Sequence, residues 1–194
     1  MPKLTLRSPY KIHCDKWCDC QLCPYRDNRK KVALVRGTLP CDVLFIGEAP
    51  GASEDVLGSP FTGPAGKLLD SIIARASRQY SPALAFTNLV GCIPPKDPQT
   101  RAIQSPDVRA IAACRPRLSE LYVISEARAV ICVGQLATKY VPDVVDFLKP
   151  GLVADSIIHP AAILRLNASQ VSMACDRTRE IIESVFEALQ IPPF

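Results

Sequence analysis

The apolar run Val43-Leu44-Phe45-Ile46, entered through Asp42, stops at Gly47-Glu48-Ala49-Pro50-Gly51. A short β-rich run cut off by Gly and Pro signals a buried strand that empties into a loop. The loop continues through Glu54, Gly58, Pro60, Phe61, Gly63 and Pro64 to Gly66. An acid and an aromatic set among so many Gly and Pro residues are held on stiff backbone, which reads as an active-site loop.

The same alternation of strand and helix patterns recurs along the chain. Strand candidates are Val43–Gly47, Ala85–Val90, Ala129–Gly134 and Leu152–Ile158, each ending at Gly, Asn or His or next to one. Helical patterns fall between them. Gly66–Arg78 carries Leu68, Leu69, Ile72 and Ile73 on one stripe; Asp107–Glu126 follows Ser105 as N-cap and Pro106; Gln135–Tyr140 and about Asp176–Leu189 complete the set. This order predicts an α/β fold, a three-layer α/β/α sandwich around a mainly parallel sheet. Sites in such folds lie at the carboxyl ends of strands, where the Glu48, Asn88 and His159 loops begin. With 194 residues, the chain is expected to form one domain, residues 1–194, with a Cys-rich lead over about residues 10–30. The stretch Ile93–Ser105, rich in Pro, is expected to be a long, partly stiff loop.

No stretch approaches the roughly 18 apolar residues of a membrane span, and residues 1–17 lack the apolar core of an export signal. A cytoplasmic location, no membrane partner and a monomer are the expectations. In that reducing setting the nine cysteines point to metal, not to bridges. Cys20-x-x-Cys23 is a two-ligand clip, and Cys92 with Cys114 brings the count to four thiolates, enough for a 4Fe–4S cluster or a structural zinc. Cys14 and Cys18 compete for the N-terminal role with poorer spacing. Cys41, Cys132 and Cys175 read as small buried apolar residues. The net charge of +4 permits a polyanionic partner without demanding one.

The loop from Gly47 to Gly66, taken with His159-Pro160-Ala161-Ala162-Ile163-Leu164-Arg165 and the cysteine pairs, resembles the iron–sulfur (family 4) uracil-DNA glycosylases over about Cys20 to Arg165. The resemblance implies a glycosylase fold, DNA as partner and a 4Fe–4S cluster on Cys20, Cys23, Cys92 and Cys114, with structural zinc as the alternative. It places Glu48 on the sugar side as the group that positions water, and His159 as donor to the leaving base. Gly47, Ala49, Glu54, Phe61 and Asn88 are implied around the base: Phe61 stacks on it, Asn88 reads its pairing edge and Glu54 sits at C5. The competing roles are core filler for Phe61 and a solvated loop acid for Glu54. Arg165 is implied at phosphate, joined by Arg26, Arg29, Lys30 and Lys31 unless these are simply surface. Ile163 and Leu164 are implied as wedges in the base stack, with burial in the core as the other reading of Ile163.

Around Cys92 the chain departs from the family pattern: Gly91 and Ile93 replace basic residues, and Ile93–Ala113 is longer than expected. Uracil is the expected base. A bulky 5-substituted pyrimidine of phage DNA, released in antiviral defence, is the alternative. A non-catalytic or DNA-trapping Fe–S protein is the second alternative.

Overall fold

The computed structural model describes residues 8–144 and 153–193. Its centre is a five-stranded sheet in the order β1-β3-β2-β4-β5. These strands are Arg36–Gly37 (β1), Val43–Gly47 (β2), Leu84–Asn88 (β3), Ala129–Val133 (β4) and Val153–Ile157 (β5). All neighbours are parallel except the short edge strand β1, which runs antiparallel to β3. The expected strand 152–158 thus becomes β5, with Leu152 lying outside the described residues.

Side chains alternate across a strand, so a central strand must be apolar at every position to face a core on each side. β2 and β4 meet this condition: every residue in both is buried. Leu44, Ile46, Val130 and Cys132 enter one core with Trp17, Tyr25, Leu118 and Tyr122. Val43, Phe45, Ile131 and Val133 enter the other with Leu69, Ile72, Ile182 and Phe186. The first core is covered by α1 (Pro9–Trp17), α4 (Val108–Ser125) and α5 (Gln135–Tyr140), and the second by α3 (Pro64–Ala76) and α7 (Ala168–Ala188). The three-layer arrangement follows. Two short helices, α2 (Ala52–Leu57) and α6 (Pro160–Ile163), lie in the loops after β2 and β5. Among the described residues no helix is long and apolar enough to cross a membrane.

Two expectations need correction. Ser105 does not cap α4. Asp107 does, in extended backbone, with its side chain accepting the Ala110 N–H at 2.8 Å and Tyr25 clamping it through bonds of 2.9 and 3.1 Å. A carboxylate one residue before the helix satisfies its free N–H groups better than a hydroxyl three residues away. The last helix begins at Ala168, eight residues before the expected Asp176, because Asn167 and Gln170 form a capping box. The long loop after Cys92 is partly ordered as a hairpin: Lys96 pairs with Ile103, Asp97 N–H reaches Ala102 O at 2.8 Å and Gln104 N–H reaches Pro95 O at 3.0 Å. The Asp97-Pro98 turn, whose carboxylate accepts the Gln99 and Thr100 N–H groups, makes that reversal.

Candidate active site

The carboxyl ends of β2, β4 and β5 open on one groove, as expected for a parallel sheet, whereas Asn88 at the end of β3 is not among the residues that line it. Glu48, Ala49, Ser105, Lys139, His159 and Arg165 are among the residues that line it. Ser105 comes from the second limb of the Lys96–Ile103 hairpin, so this insertion is a wall of the site.

His159 N-caps α6. Its Nδ1 accepts the Ala161 N–H at 3.1 Å. A neutral imidazole that accepts at Nδ1 carries its hydrogen on Nε2. Burial pushes His159 below the usual imidazole range; the Glu48 carboxylate pulls the other way, and Arg165 adds to the depression. The ring is therefore a neutral donor, aimed by backbone and set in the same groove as a carboxylate.

A second, buried group packs against Gly47. A β-carbon at Gly47 would stand 2.5 Å from Asn88 Oδ1 and 2.5 Å from Phe61 Cζ, so only glycine lets the two side chains close on this backbone. Asn88 pairs with Gly47 across β2 and β3 and is 3 % exposed. Phe61 sits at φ +55°, and its carbonyl oxygen would be 1.9 Å from a β-carbon at Gly66, which fixes glycine at that point of α3. Its ring lies tilted on Phe86 at 5.9 Å; beyond Phe86 stands the Arg36 guanidinium, itself bonded to Asp70. Glu54 is 8 % exposed, and its Oε1 accepts the Gly63 N–H at 2.8 Å where α3 starts. It is held between loops and is not a free surface acid.

Ile163 is corrected: it is fully buried in the core that contains Leu69 and Ile182, and cannot reach a base stack. Leu164, 52 % exposed, stays at the surface beside the exposed Arg165. Two further cations on the groove, Lys139 and Arg177, come from α5 and α7. Neither belongs to a motif, and only their positions over the carboxyl edge of the sheet mark them.

Cys20, Cys23, Cys92 and Cys114 line a single cavity between the N-terminal lead and α4. Among the described residues no three Cys, His, Asp or Glu side chains are grouped as ligands to one metal ion. Burial pushes the Cys92 thiol up to about 11, against the pull of Arg29, and burial also raises Cys23. Two guanidinium groups turn toward this cavity. Arg29, 8 % exposed, donates to Cys20 O at 2.7 Å and to Cys92 Sγ at 3.7 Å. Arg117, 1 % exposed, donates to Cys114 Sγ at 3.2 Å. The inward turn of Arg29 corrects its grouping with Arg26, Lys30 and Lys31 as a phosphate contact. Of the rival cysteines, Cys18 is exposed and neither it nor Cys14 lines the cavity.

The chain is similar to known uracil-DNA glycosylases. The Type-4 uracil-DNA glycosylase of Pyrobaculum aerophilum is 34 % identical over 121 residues, 62 % of this chain and 58 % of the relative. Those of Saccharolobus solfataricus and Thermotoga maritima are 35 % and 32 % identical, over 62 % and 64 % of this chain and 53 % and 61 % of their own lengths. The matched part thus spans between half and two thirds of these relatives. A Methanosarcina acetivorans protein solved by NMR superposes at TM-score 0.47 with 12 % identity, over 78 % of this chain and 98 % of that one, a likeness too loose to add weight. The family model described as Uracil DNA glycosylase superfamily matches residues 36–186, from β1 to the last turns of α7, and the chain belongs to that superfamily.

Proposed function

We propose that this protein is a DNA glycosylase that draws a pyrimidine, uracil in the first instance, out of the stack and hydrolyses its N-glycosidic bond to leave an abasic site. The observation that carries the reading is the His159 ring, which accepts the Ala161 N–H at Nδ1 and has no hydrogen bond at Nε2 among the described residues, on the same groove as Glu48. Cleavage leaves positive charge on the sugar and negative charge on the departing base. A preset donor about 2.7–3.1 Å from the base oxygen gains strength as that charge grows. His159 is this donor, and being neutral it does not have to lose a proton to the base. Glu48 faces the sugar, where it orients or deprotonates water and offsets the cation. Phe61 and Asn88 hold the base, one by stacking and the other by its carboxamide, whose single acceptor and two donors suit a pyrimidine edge. Glu54, bonded to Gly63 N–H, stands at C5 and excludes a methyl group.

Cys20, Cys23, Cys92 and Cys114 would hold a 4Fe–4S cluster. The four cysteines line one cavity, and two guanidinium groups adjoin them as counter-charge to thiolates on either metal; the resemblance to the iron–sulfur glycosylases is what favours the cluster over a structural zinc. Once bound, the cluster supplies iron–thiolate bonds that tie the Cys-rich lead to the sheet.

A second reading, release of a bulky 5-substituted pyrimidine in antiviral defence, draws on the hairpin that walls the groove with Ile103, Gln104 and Ser105. Single-turnover base release tests the mechanism. Glu48→Gln and His159→Ala should each slow it by roughly 10²–10⁴-fold with DNA affinity unchanged within a few fold. Rates equal to wild type in both variants would remove them from the chemistry.

A further inference from the structure

Arg117 occupies an unusual place. It is the largest of the fully buried side chains, 1 % exposed, and none of its partners among the described residues is a carboxylate. Its Nε donates to Cys114 Sγ at 3.2 Å and its Nη1 to Thr87 Oγ1 at 3.1 Å. Its Nη2 donates to Asn88 O and to Leu89 O, the latter at 3.3 Å. A buried cation is costly to keep unless its hydrogens are all placed and an opposite charge is near. Here the hydrogens are placed on Thr87 and the peptides that follow β3, and Cys114 would supply the opposite charge as a thiolate ligand.

Those peptides are gripped from both sides. The Asn88–Leu89 peptide gives its oxygen to Arg117 and its N–H to Gly47 O at 2.9 Å. The next peptide gives its oxygen to Arg117 and its N–H to Glu48 O at 3.3 Å. One guanidinium therefore sets the backbone that carries Asn88 against the backbone that carries Glu48. The Gly91 N–H, at 3.4 Å from Cys114 Sγ, continues the path to Cys92.

We propose that Arg117 is a positioning residue that couples the cysteine site to the base pocket, holding Asn88 and Glu48 in register from Cys114. The cluster side of this rests on the function proposed above. Its consequence is that the cysteine site governs base reading and turnover, in addition to anchoring the N-terminal lead.

The test compares the iron-loaded wild type with Arg117→Met and Arg117→Lys. Iron content, the reduction midpoint by redox titration and single-turnover release with a uracil oligonucleotide are read for each. The four cysteines remain in both variants, so iron should be retained. In Arg117→Met the midpoint should move to a more negative value, since a cation bonded to a cluster sulfur favours the reduced form. Base release should fall by roughly tenfold or more, the worth of one hydrogen bond from a charged group. Lysine keeps the charge but is a point donor that cannot span sulfur and peptide oxygens together. Arg117→Lys should therefore hold the midpoint nearer to wild type and still release base slowly, and this variant decides the matter if Arg117→Met does not fold. An unshifted midpoint in Arg117→Met, or wild-type release by a folded Arg117→Lys, overturns the coupling. Wild-type protein without iron or without base release would instead overturn the proposed function, so the two failures are distinct.

Discussion

The imidazole of His159 and the backbone of Ala161 are joined by a 3.1 Å hydrogen bond in which the ring accepts at Nδ1. Protonating that nitrogen means giving up the bond, and burial opposes the charge further. Base release should therefore be level as pH falls through the ordinary imidazole range near 6.5 and decline only below it. The pH profile of single-turnover release checks this, together with nitrogen NMR of the ring, which should report the Nε2–H tautomer. A rate that climbs as His159 gains a proton would contradict the neutral-donor mechanism.

The groove cations should account for DNA binding. Replacing Arg165, Lys139 or Arg177 by Ala should weaken binding and flatten the plot of log affinity against log salt by about one unit for each phosphate no longer neutralised. Arg29→Ala should leave that slope alone and lower iron retention, because Arg29 faces Cys20 and Cys92. Binding measured between low and moderate salt separates the two effects.

Most of the sheet was legible because β2 and β4 are apolar at every position, a pattern that only a doubly covered strand tolerates. The positions of Glu48, Asn88 and His159 at or just past the carboxyl ends of β2, β3 and β5 were legible because an apolar run breaks off at each. The hairpin over Lys96–Ile103 was not, since its order rests on the Asp97 turn and not on apolar periodicity. Lys139 and Arg177 were missed because distant helices bring them to the groove, and no local pattern marks a surface cation that meets a site in space. Arg117 was missed for a related reason. Its role comes from a helix placed against the end of β3, whereas by residue type it looks like any charged helix position. Ile163 shows the reverse error, an apolar residue beside an exposed one whose direction only the packing of α6 against α3 decides.

His13 gives a stability prediction apart from the groove. It is fully buried, its Nδ1 lies 3.0 Å from Glu120 Oε1 and its Nε2 has no partner among the described residues. Burial lowers its pKa from 6.5, against the hydrogen bond to Glu120. The folded state thus binds fewer protons than the unfolded one between the two values. The contribution of His13 is fully present above pH 6.5 and is lost as pH falls below it. Urea midpoints across that range should drop on acidification, and less steeply in His13→Phe. A midpoint that rises toward acid would contradict this burial.

Base release is read most directly with iron-loaded protein and a panel of oligonucleotides bearing uracil, thymine, hypoxanthine and 5-substituted pyrimidines. The expected products are free uracil and an alkali-labile abasic strand, with thymine DNA left whole by the proposed place of Glu54 at C5. Release of a 5-substituted pyrimidine with uracil DNA intact would keep the mechanism and overturn the choice of base. No base released from any member of the panel, by protein that binds the same DNA, would contradict the account.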